Sequence, residues 1–200
     1  MIKFVNLNKG TPYNLFLELY EKAKESRQEN VDAICVSSFD DNKKEVDARF
    51  VNLKYIKGDR WFFYSNYDSP KSIQFKSHNQ ISSTLFWSKI NVQIRIKSNV
   101  FRATTEESDE YFKKRSFEKN VLAISSNQSH EINTFDDVKE KYRKKMKSLN
   151  EKEYERPSYW GGFYFIPFSF EFWEGNEFRL NKRTKFKLDN ETWVSSILEP

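Results

Sequence analysis

The stretch Ile90-Asn91-Val92-Gln93-Ile94-Arg95-Ile96-Lys97 alternates apolar and polar side chains without a break. Successive side chains of a strand point to opposite faces, so this spacing predicts a half-buried strand. Ile90, Val92, Ile94 and Ile96 belong to the core, and Asn91, Gln93, Arg95 and Lys97 meet water or a ligand. The strand is expected to run on to Ala103. Outward from it, further strands are predicted over Val31 to Phe39, Val46 to Ile56, Arg60 to Ser65 and Ile81 to Trp87, then a long aromatic one over Phe163 to Trp173. Shorter strands at Thr184 to Leu188 and Thr192 to Ile197 finish the chain. Asp40-Asp41-Asn42 and Lys57-Gly58-Asp59 supply the turns. Apolar residues at helical spacing (Leu15, Phe16, Leu19, Tyr20, Ala23) predict a helix from Pro12 to about Arg27. Ser69 to His78, the acid-first segment from Thr105, and Val138 to Leu149 behind a Thr134/Asp137 capping box are also read as helices. Seven or eight antiparallel strands with helices between them give an α+β, mainly β class and a closed or nearly closed barrel. The absence of strand-helix alternation argues against a Rossmann sheet.

Two hundred residues and 24.1 kDa suit one domain, taken as 1–200 with 1–11 as a short N-terminal arm. Aromatic residues make up 17%, including 19 Phe and 10 Tyr, which is enough apolar surface to exclude disorder. A mean hydropathy of −0.83, and no run approaching the ~18 uncharged apolar residues of a span, predict a protein without membrane segments. Cys35 is alone and cannot close an internal disulfide, and no Cys/His set offers a metal site. The opening MIKFVNLNKGTPYN lacks the apolar core of a secretory signal, so a cytoplasmic location is expected. Lys and Arg number 34 against 29 Asp and Glu, a net charge of +5. Nucleic acid is one reading of that excess and a solvated surface the other. The basic run from Lys139 to Lys147 contains Glu140 and reads as the wet face of a helix.

The usual catalytic constellations are missing. His78 and His130 are the only histidines, neither in a nucleophile-type motif, and no glycine-rich phosphate loop exists. Basic and amide residues recur beside strands instead: Arg49, Lys54, Lys71, Gln93, Arg95, Arg115, Gln128, Arg179 and Arg183. Singly each reads as a solvated surface group. As a set they suit phosphate-bearing small molecules, with Arg offering paired donors and Lys a point charge.

Six segments in order then carry a resemblance. They are Ala48 to Lys54 (ARFVNLK), Phe63 to Lys71 (FYSNYDSPK), Val92 to Arg95 (VQIR), Glu107 to Arg115 (ESDEYFKKR), Asn127-Gln128-Ser129, and a C-terminal series. That series is Trp160-Gly161-Gly162-Phe163, Glu171-Phe172-Trp173-Glu174-Gly175 and Arg179-Leu180-Asn181-Lys182-Arg183. From about Tyr13 to Pro200 the chain resembles the pyridoxine (pyridoxamine) 5'-phosphate oxidase family, FMN-dependent oxidases with an antiparallel split β-barrel and peripheral helices.

The resemblance implies a homodimer with FMN at its interface and a phosphorylated B6 vitamer and O2 as small-molecule partners, with no nucleic acid, membrane or metal. On matching positions it assigns Arg49, Lys54, Tyr64, Ser65, Lys71, Gln93, Gln128, Ser129, Trp173 and Arg183 to the cofactor. Lys54, Tyr111, Arg115, Lys119, Arg179 and Asn181 fall to the substrate. Arg179 is the expected catalytic residue, placed over the pyridine ring near the reacting carbon. The implied reaction is hydride transfer from substrate C4' to flavin N5, with O2 restoring the flavin and leaving peroxide. Such chemistry asks little acid-base help, so a histidine-poor chain is no obstacle. Arg49 and Lys54 have opposite parity on one regular strand and reach one pocket only if a bulge or strand end intervenes.

Four positions depart from the family pattern. Pro70 replaces the first residue of an Arg-Lys pair, Lys119 a phosphate-binding serine, and Asn181 a substrate-contacting histidine. Ile197 stands where the terminal motif has arginine, and the N-terminal arm is short. These changes gather around the substrate. An oxidase or reductase of the same fold acting on a phenazine-type compound or a flavin therefore stands as the alternative, with a non-catalytic flavin-binding barrel behind it. Trp160 reads most simply as a barrel aromatic.

Overall fold

The computed structural model describes residues 1–151 and 153–200. Its centre is one ten-stranded sheet. In chain order the elements are β1 (Lys3–Val5), α1 (Thr11–Glu25), β2 (Ala33–Asp40), β3 (Glu45–Asn52), β4 (Tyr55–Lys57), β5 (Arg60–Asn66), α2 (Pro70–Ser77), β6 (Gln80–Trp87) and β7 (Val92–Arg102). They continue with α3 (Thr105–Lys114), α4 (Phe117–Ser125), α5 (Phe135–Ser148), β8 (Trp160–Glu174), β9 (Lys182–Asp189) and β10 (Thr192–Leu198). The strand order is β1-β4-β5-β8-β7-β6-β2-β3, with β9 added to β8 and β10 to β9.

β8 is the hub. One edge pairs with β7 along its length; the other pairs with β5 over Trp160 to Phe165 and with β9 over Ser169 to Glu174. Between the two partners the register against β7 shifts, Lys97 facing Ser169 and Ser98 facing Pro167, so Phe168 is an extra residue. A bulge bends its strand and is one of the few places in a sheet that tolerates proline. Pro167 and Phe168 thus sit where the sheet divides, which makes the barrel split.

Alternation decides the faces. Val92, Ile94 and Ile96 of β7 are buried, with Arg95 and Lys97 between them exposed, as their spacing predicts. The inward residues form an aromatic core in which α1 inserts Tyr13, Phe16 and Tyr20. The Phe16 ring centroid lies 4.5 Å from that of Trp61 and 5.6 Å from that of Trp87. Truncating such a ring to Ala removes both transfer energy and packing, about 3–5 kcal/mol.

Three details differ from the sequence expectation. The sheet is mixed, because β1 pairs with β4 in parallel, placing a strand inside the segment read as an arm. The strand predicted over Val46 to Ile56 breaks at Leu53-Lys54 into β3 and β4. α4 forms where no helix was expected: it opens on Ser116 and buries only Asn120 and Val121, too brief an apolar stripe to declare a helical period.

Candidate functional site

The residues assigned to cofactor and substrate gather into three groups on two faces of the sheet. The first lies on the inner face at the β3 edge, beneath α2. Arg49 Nη1 donates to Ser38 Oγ (2.5 Å) and to the Val36 carbonyl (3.3 Å), and Nη2 donates to Gln74 Oε1 (3.1 Å) and pairs with Asp47. Lys71 enters from the first turn of α2, its Nζ donating to Ser69 Oγ at 3.1 Å. It is only 7% exposed. Burial, and then the Arg49 charge, push its pKa down to about 8, with Asp47 pulling the other way. Arg49 is already paired with Asp47, whereas the buried Lys71 ammonium beside it has only a hydroxyl partner and is the charge that a phosphate dianion would relieve. Pro70 occupies the first turn of α2, where its missing N–H is not needed. That accounts locally for a proline where the family has arginine.

The second group covers the outer face of β5 and β8 under α3. Tyr64 and Tyr111 stack with centroids 3.6 Å apart and planes 16° from parallel. Trp160 lies nearly parallel to both, at 5.8 and 6.3 Å. Glycine permits this: a Cβ on Gly162 would stand 3.0 Å from Tyr64 Cε1 and 2.8 Å from Ala103 Cβ. The Arg115 guanidinium rests over the Trp160 ring, 4.3 Å from its centroid, and its Nη2 donates to the Lys119 carbonyl at 3.1 Å. Burial lowers the Arg115 pKa from its ordinary value, while desolvation raises those of Tyr64 and Tyr111. Arg115 Nη1 is buried with no hydrogen-bond partner among the described residues. Arg115 also lines a hollow of about 220 Å³, together with Asn66, Lys119, Gln128 and Trp160 among others. Gln128, assigned to the cofactor, therefore shares a wall with Arg115 and Lys119, assigned to the substrate.

The third group is a cross-strand row on the outer face. Gln93 faces Trp173 directly across β7 and β8, and Trp173 faces Arg183 across β8 and β9. Arg183 Nε and Nη2 both donate to Glu171 Oε1, at 3.1 and 2.8 Å, and Arg95 Nη1 donates to Oε2 of the same carboxylate at 3.1 Å. Beyond the strand ends, Arg179 lies in a single 3₁₀ turn beside Phe178, which is 97% exposed. Arg179 has a φ of 61°, and Asn181 Oδ1 accepts from the Asn176 N–H, so the turn is held by its own atoms.

The structure does not unite all these residues within one chain. Arg49 is in register with buried Val36, whereas its neighbour Phe50 pairs with Cys35, Cys35 with Thr84 and Thr84 with Arg95. Arg49 and Lys71 thus lie on the face opposite to Gln93, Trp173 and Arg183. Lys54 stands apart from Arg49, beyond the end of β3, with its Nζ 3.3 Å from Asp32 Oδ2. The strand break answers the parity conflict between the two. Ser65 is buried and faces Gly161 across β5 and β8. Ser129 lies in the exposed 126–132 loop with a φ of 69°.

Several supporting residues carry no sequence assignment. Ser38 and Gln74 orient Arg49 from distant segments and gave no signal. Glu171 was legible as an acid on the polar face two residues before Trp173. Trp160, read as a barrel aromatic, is the floor beneath Arg115.

Residues 160–200 match the family described as the pyridoxine 5'-phosphate oxidase C-terminal dimerisation region. Over 94% of its length the chain is 33% identical to the pyridoxine/pyridoxamine 5'-phosphate oxidase of Leptospira biflexa, covering 89% of that protein. Against the enzyme of the same description from Pelagibacter ubique the identity is again 33%, over 97% of this chain and 94% of the other. The chain belongs to the pyridoxine/pyridoxamine 5'-phosphate oxidase family. Solved structures agree on the split-barrel fold. PhzG from Burkholderia lata, in complex with tetrahydrophenazine-1-carboxylic acid, superposes with a TM-score of 0.87 at 20% identity, covering 94% of this chain and 92% of that one. A pyridoxamine 5'-phosphate oxidase-related, FMN-binding protein from Nostoc punctiforme gives 0.78 at 10% identity, covering 95% and 98%. Membership of the family makes the chain an oxidoreductase of this type. Among the described residues no helix is long and apolar enough to cross a membrane.

Proposed function

We propose that this protein is an FMN-dependent oxidase converting pyridoxamine 5'-phosphate or pyridoxine 5'-phosphate to pyridoxal 5'-phosphate, with O2 as acceptor and H2O2 as product; in the amine case water hydrolyses the imine formed and ammonia leaves. The observation that carries the reading is that two pairs of cationic residues stand apart, Lys71 buried beside Arg49, and Arg115 with Lys119 along one hollow; each would serve as an anion seat. A phosphorylated cofactor and a phosphorylated substrate need two. The buried Lys71 ammonium beside Arg49 fits the flavin phosphate, with Ser38 and Gln74 fixing the guanidinium. Gln93, Trp173 and Arg183 would hold the remainder of the cofactor and lie on the opposite sheet face, so a ligand that needs both sets sits between two copies of the chain. The match to a dimerisation region over 160–200 supports a homodimer. Exposed apolar side chains on that outer face, Phe50 at 73% and Phe86 at 55%, support it as well.

When bound, FMN would supply the two-electron chemistry, taking a hydride from the substrate carbon and passing the electrons to O2. The chain's own residues bind and orient. Arg115 and Lys119 anchor the substrate phosphate, and Tyr111, stacked on Tyr64, walls the same region. Lys54 adds a further cation. Arg179, on the turn joining the strands that carry Trp173 and Arg183, would reach the substrate ring from the second copy. Holding two rings in a reactive arrangement is the protein's main contribution.

A second reading keeps the flavin and changes the substrate. Lys119 and Asn181 replace a serine and a histidine of the family pattern, and the PhzG structure holds a carboxylate-bearing ligand, which Arg115 would also receive. The deciding experiment is to purify the protein, record its flavin spectrum, and follow pyridoxal 5'-phosphate formation from pyridoxamine 5'-phosphate under air. A protein that takes up no FMN on reconstitution sinks both readings. Flavin without turnover sinks the B6 assignment alone.

A further inference from the structure

Trp160 is 6% exposed and packs edge-on against Phe112 at 5.3 Å, yet not all of its neighbours are apolar. One neighbour is the Arg115 guanidinium, 4.3 Å from the ring centroid, and its plane continues the Tyr64–Tyr111 stack, 9° from that of Tyr111. Its backbone is fixed as well. Arg156 donates from Nη1 to the Trp160 carbonyl at 2.5 Å, and from Nε to Asp109 of α3 at 2.6 Å, tying the start of β8 to the helix that carries Tyr111. The indole is therefore held on several sides, and the guanidinium it carries is not saturated. Arg115 Nη2 is used by the Lys119 carbonyl, while Nη1 is buried with no acceptor among the described residues. A buried charged donor without an acceptor is costly, and an arriving anion removes that cost.

We propose that Trp160 is the positioning residue of the substrate-phosphate seat, its indole face fixing the plane of the Arg115 guanidinium at the wall of the hollow that would receive the phosphate. The inference rests on the B6-phosphate reading above and assigns a role to a residue outside the binding set. Desolvated guanidinium-indole contacts are among the stronger cation-π pairs, and a planar guanidinium is oriented by stacking in a way an ammonium is not.

The test compares Trp160→Leu, Trp160→Phe and Arg115→Lys in the FMN-loaded dimer. Titration with pyridoxal 5'-phosphate and with unphosphorylated pyridoxal reads the phosphate preference directly. Steady-state kinetics with pyridoxamine 5'-phosphate then separate KM from kcat. Trp160→Leu should weaken pyridoxal 5'-phosphate binding and raise KM by about tenfold, with pyridoxal binding, flavin content and kcat little changed. Trp160→Phe, which keeps a ring face, should recover most of the preference. Arg115→Lys keeps charge and indole but loses the stacked plane, and should resemble Trp160→Leu; it also serves if Trp160→Leu does not fold. Wild-type phosphate preference in Arg115→Lys or in a folded Trp160→Leu overturns the inference while sparing the proposed function. Equal loss of both ligands together with flavin overturns it too, as a general packing defect. A wild-type protein indifferent to the phosphate sinks the inference and the B6 reading together.

Discussion

Tyr64 of β5 and Tyr111 of α3 stack face to face, their centroids 3.6 Å apart, and this contact seats α3 on the sheet. Tyr55 closes it from the side, edge-on to Tyr111 at 5.9 Å. Aromatic pairs add about 0.5–1.5 kcal/mol beyond the area they bury. Tyr111→Phe keeps the ring and should unfold within about 0.5 kcal/mol of wild type, whereas Tyr111→Ala should lose about 2 kcal/mol, given that the ring is half-buried. Denaturant melts of the two variants check this. If the Phe variant nevertheless loses substrate affinity, the hydroxyl acts on the ligand rather than on the fold.

Lys71 should make stability rise with pH in a particular window. Its pKa in the folded protein is pushed to about 8, below the ordinary 10.5 that it regains on unfolding. Between these values the unfolded chain binds more protons, so the unfolding free energy increases as pH climbs. Below about 8 both states are protonated and the penalty for burying the ammonium is present in full. The expected result is that wild type gains stability relative to Lys71→Met from pH 8 to 9.5, the comparison removing other titrating groups. Saturating inorganic phosphate should flatten the gain, because an anion beside the ammonium restores its proton affinity. A difference curve with no slope would contradict the buried, Arg49-opposed placement of Lys71.

Much of the fold was legible because the strands obey period two. Val92 to Ile96 could be assigned faces from spacing alone, and the Thr134–Asp137 box forms as its residues predict. Lys54 was legible in a different way. Its odd spacing from Arg49 set the two on opposite faces unless a bulge or strand end intervened; the β3–β4 break lies between them, and Lys54 pairs with Asp32 away from Arg49. What stayed hidden depends on contacts distant in sequence. Ser38 and Gln74 meet Arg49 across 11 and 25 residues, and nothing in the local pattern of either marks a partner. Trp160 shows the same limit, since an aromatic at a strand start is usually core, and only α3 folding across it reveals the arginine on its face. The parallel β1 leaves no mark in the sequence, because three residues are too few to display a period.

Arg179 and Arg183 lie four residues apart and should fail differently. Arg183 points at Glu171, within the Gln93–Trp173 row, whereas Arg179 sits on an exposed turn held by the Asn176 and Asn181 side chains. Arg179→Ala should cut turnover at least tenfold while flavin remains bound, and Arg183→Ala should weaken flavin binding by a similar factor. Glu171→Ala should share the second phenotype by freeing Arg183. Two groups that act through one contact are non-additive, so Glu171→Ala in the Arg183→Ala background should add less than about 0.5 kcal/mol. Flavin fluorescence titration of the three variants and the double variant decides it. Equal flavin loss in Arg179→Ala and Arg183→Ala would erase the division between cofactor and substrate residues.

The opposite facing of Arg49 and Arg183 allows a test that does not depend on any single affinity. If each flavin takes Arg49 and Lys71 from one copy and Gln93, Trp173 and Arg183 from the other, the Arg49→Ala and Arg183→Ala homodimers each carry two damaged sites. Mixed dimers formed from the two variants differ. One site receives both substitutions and the other receives neither, because the intact Arg183 of the first chain meets the intact Arg49 of the second. Co-expression with two affinity tags isolates the mixed species, and absorbance counts its flavin. The expected result is about one tightly bound flavin per mixed dimer, against wild-type content near two and weak retention in either parent, as closed two-fold symmetry requires. Recovery of activity should follow the recovered flavin. If the mixed dimer retains no more flavin than its parents, both arginines serve the same site from one chain, and the register that separates Arg49 from Arg183 would have to be wrong.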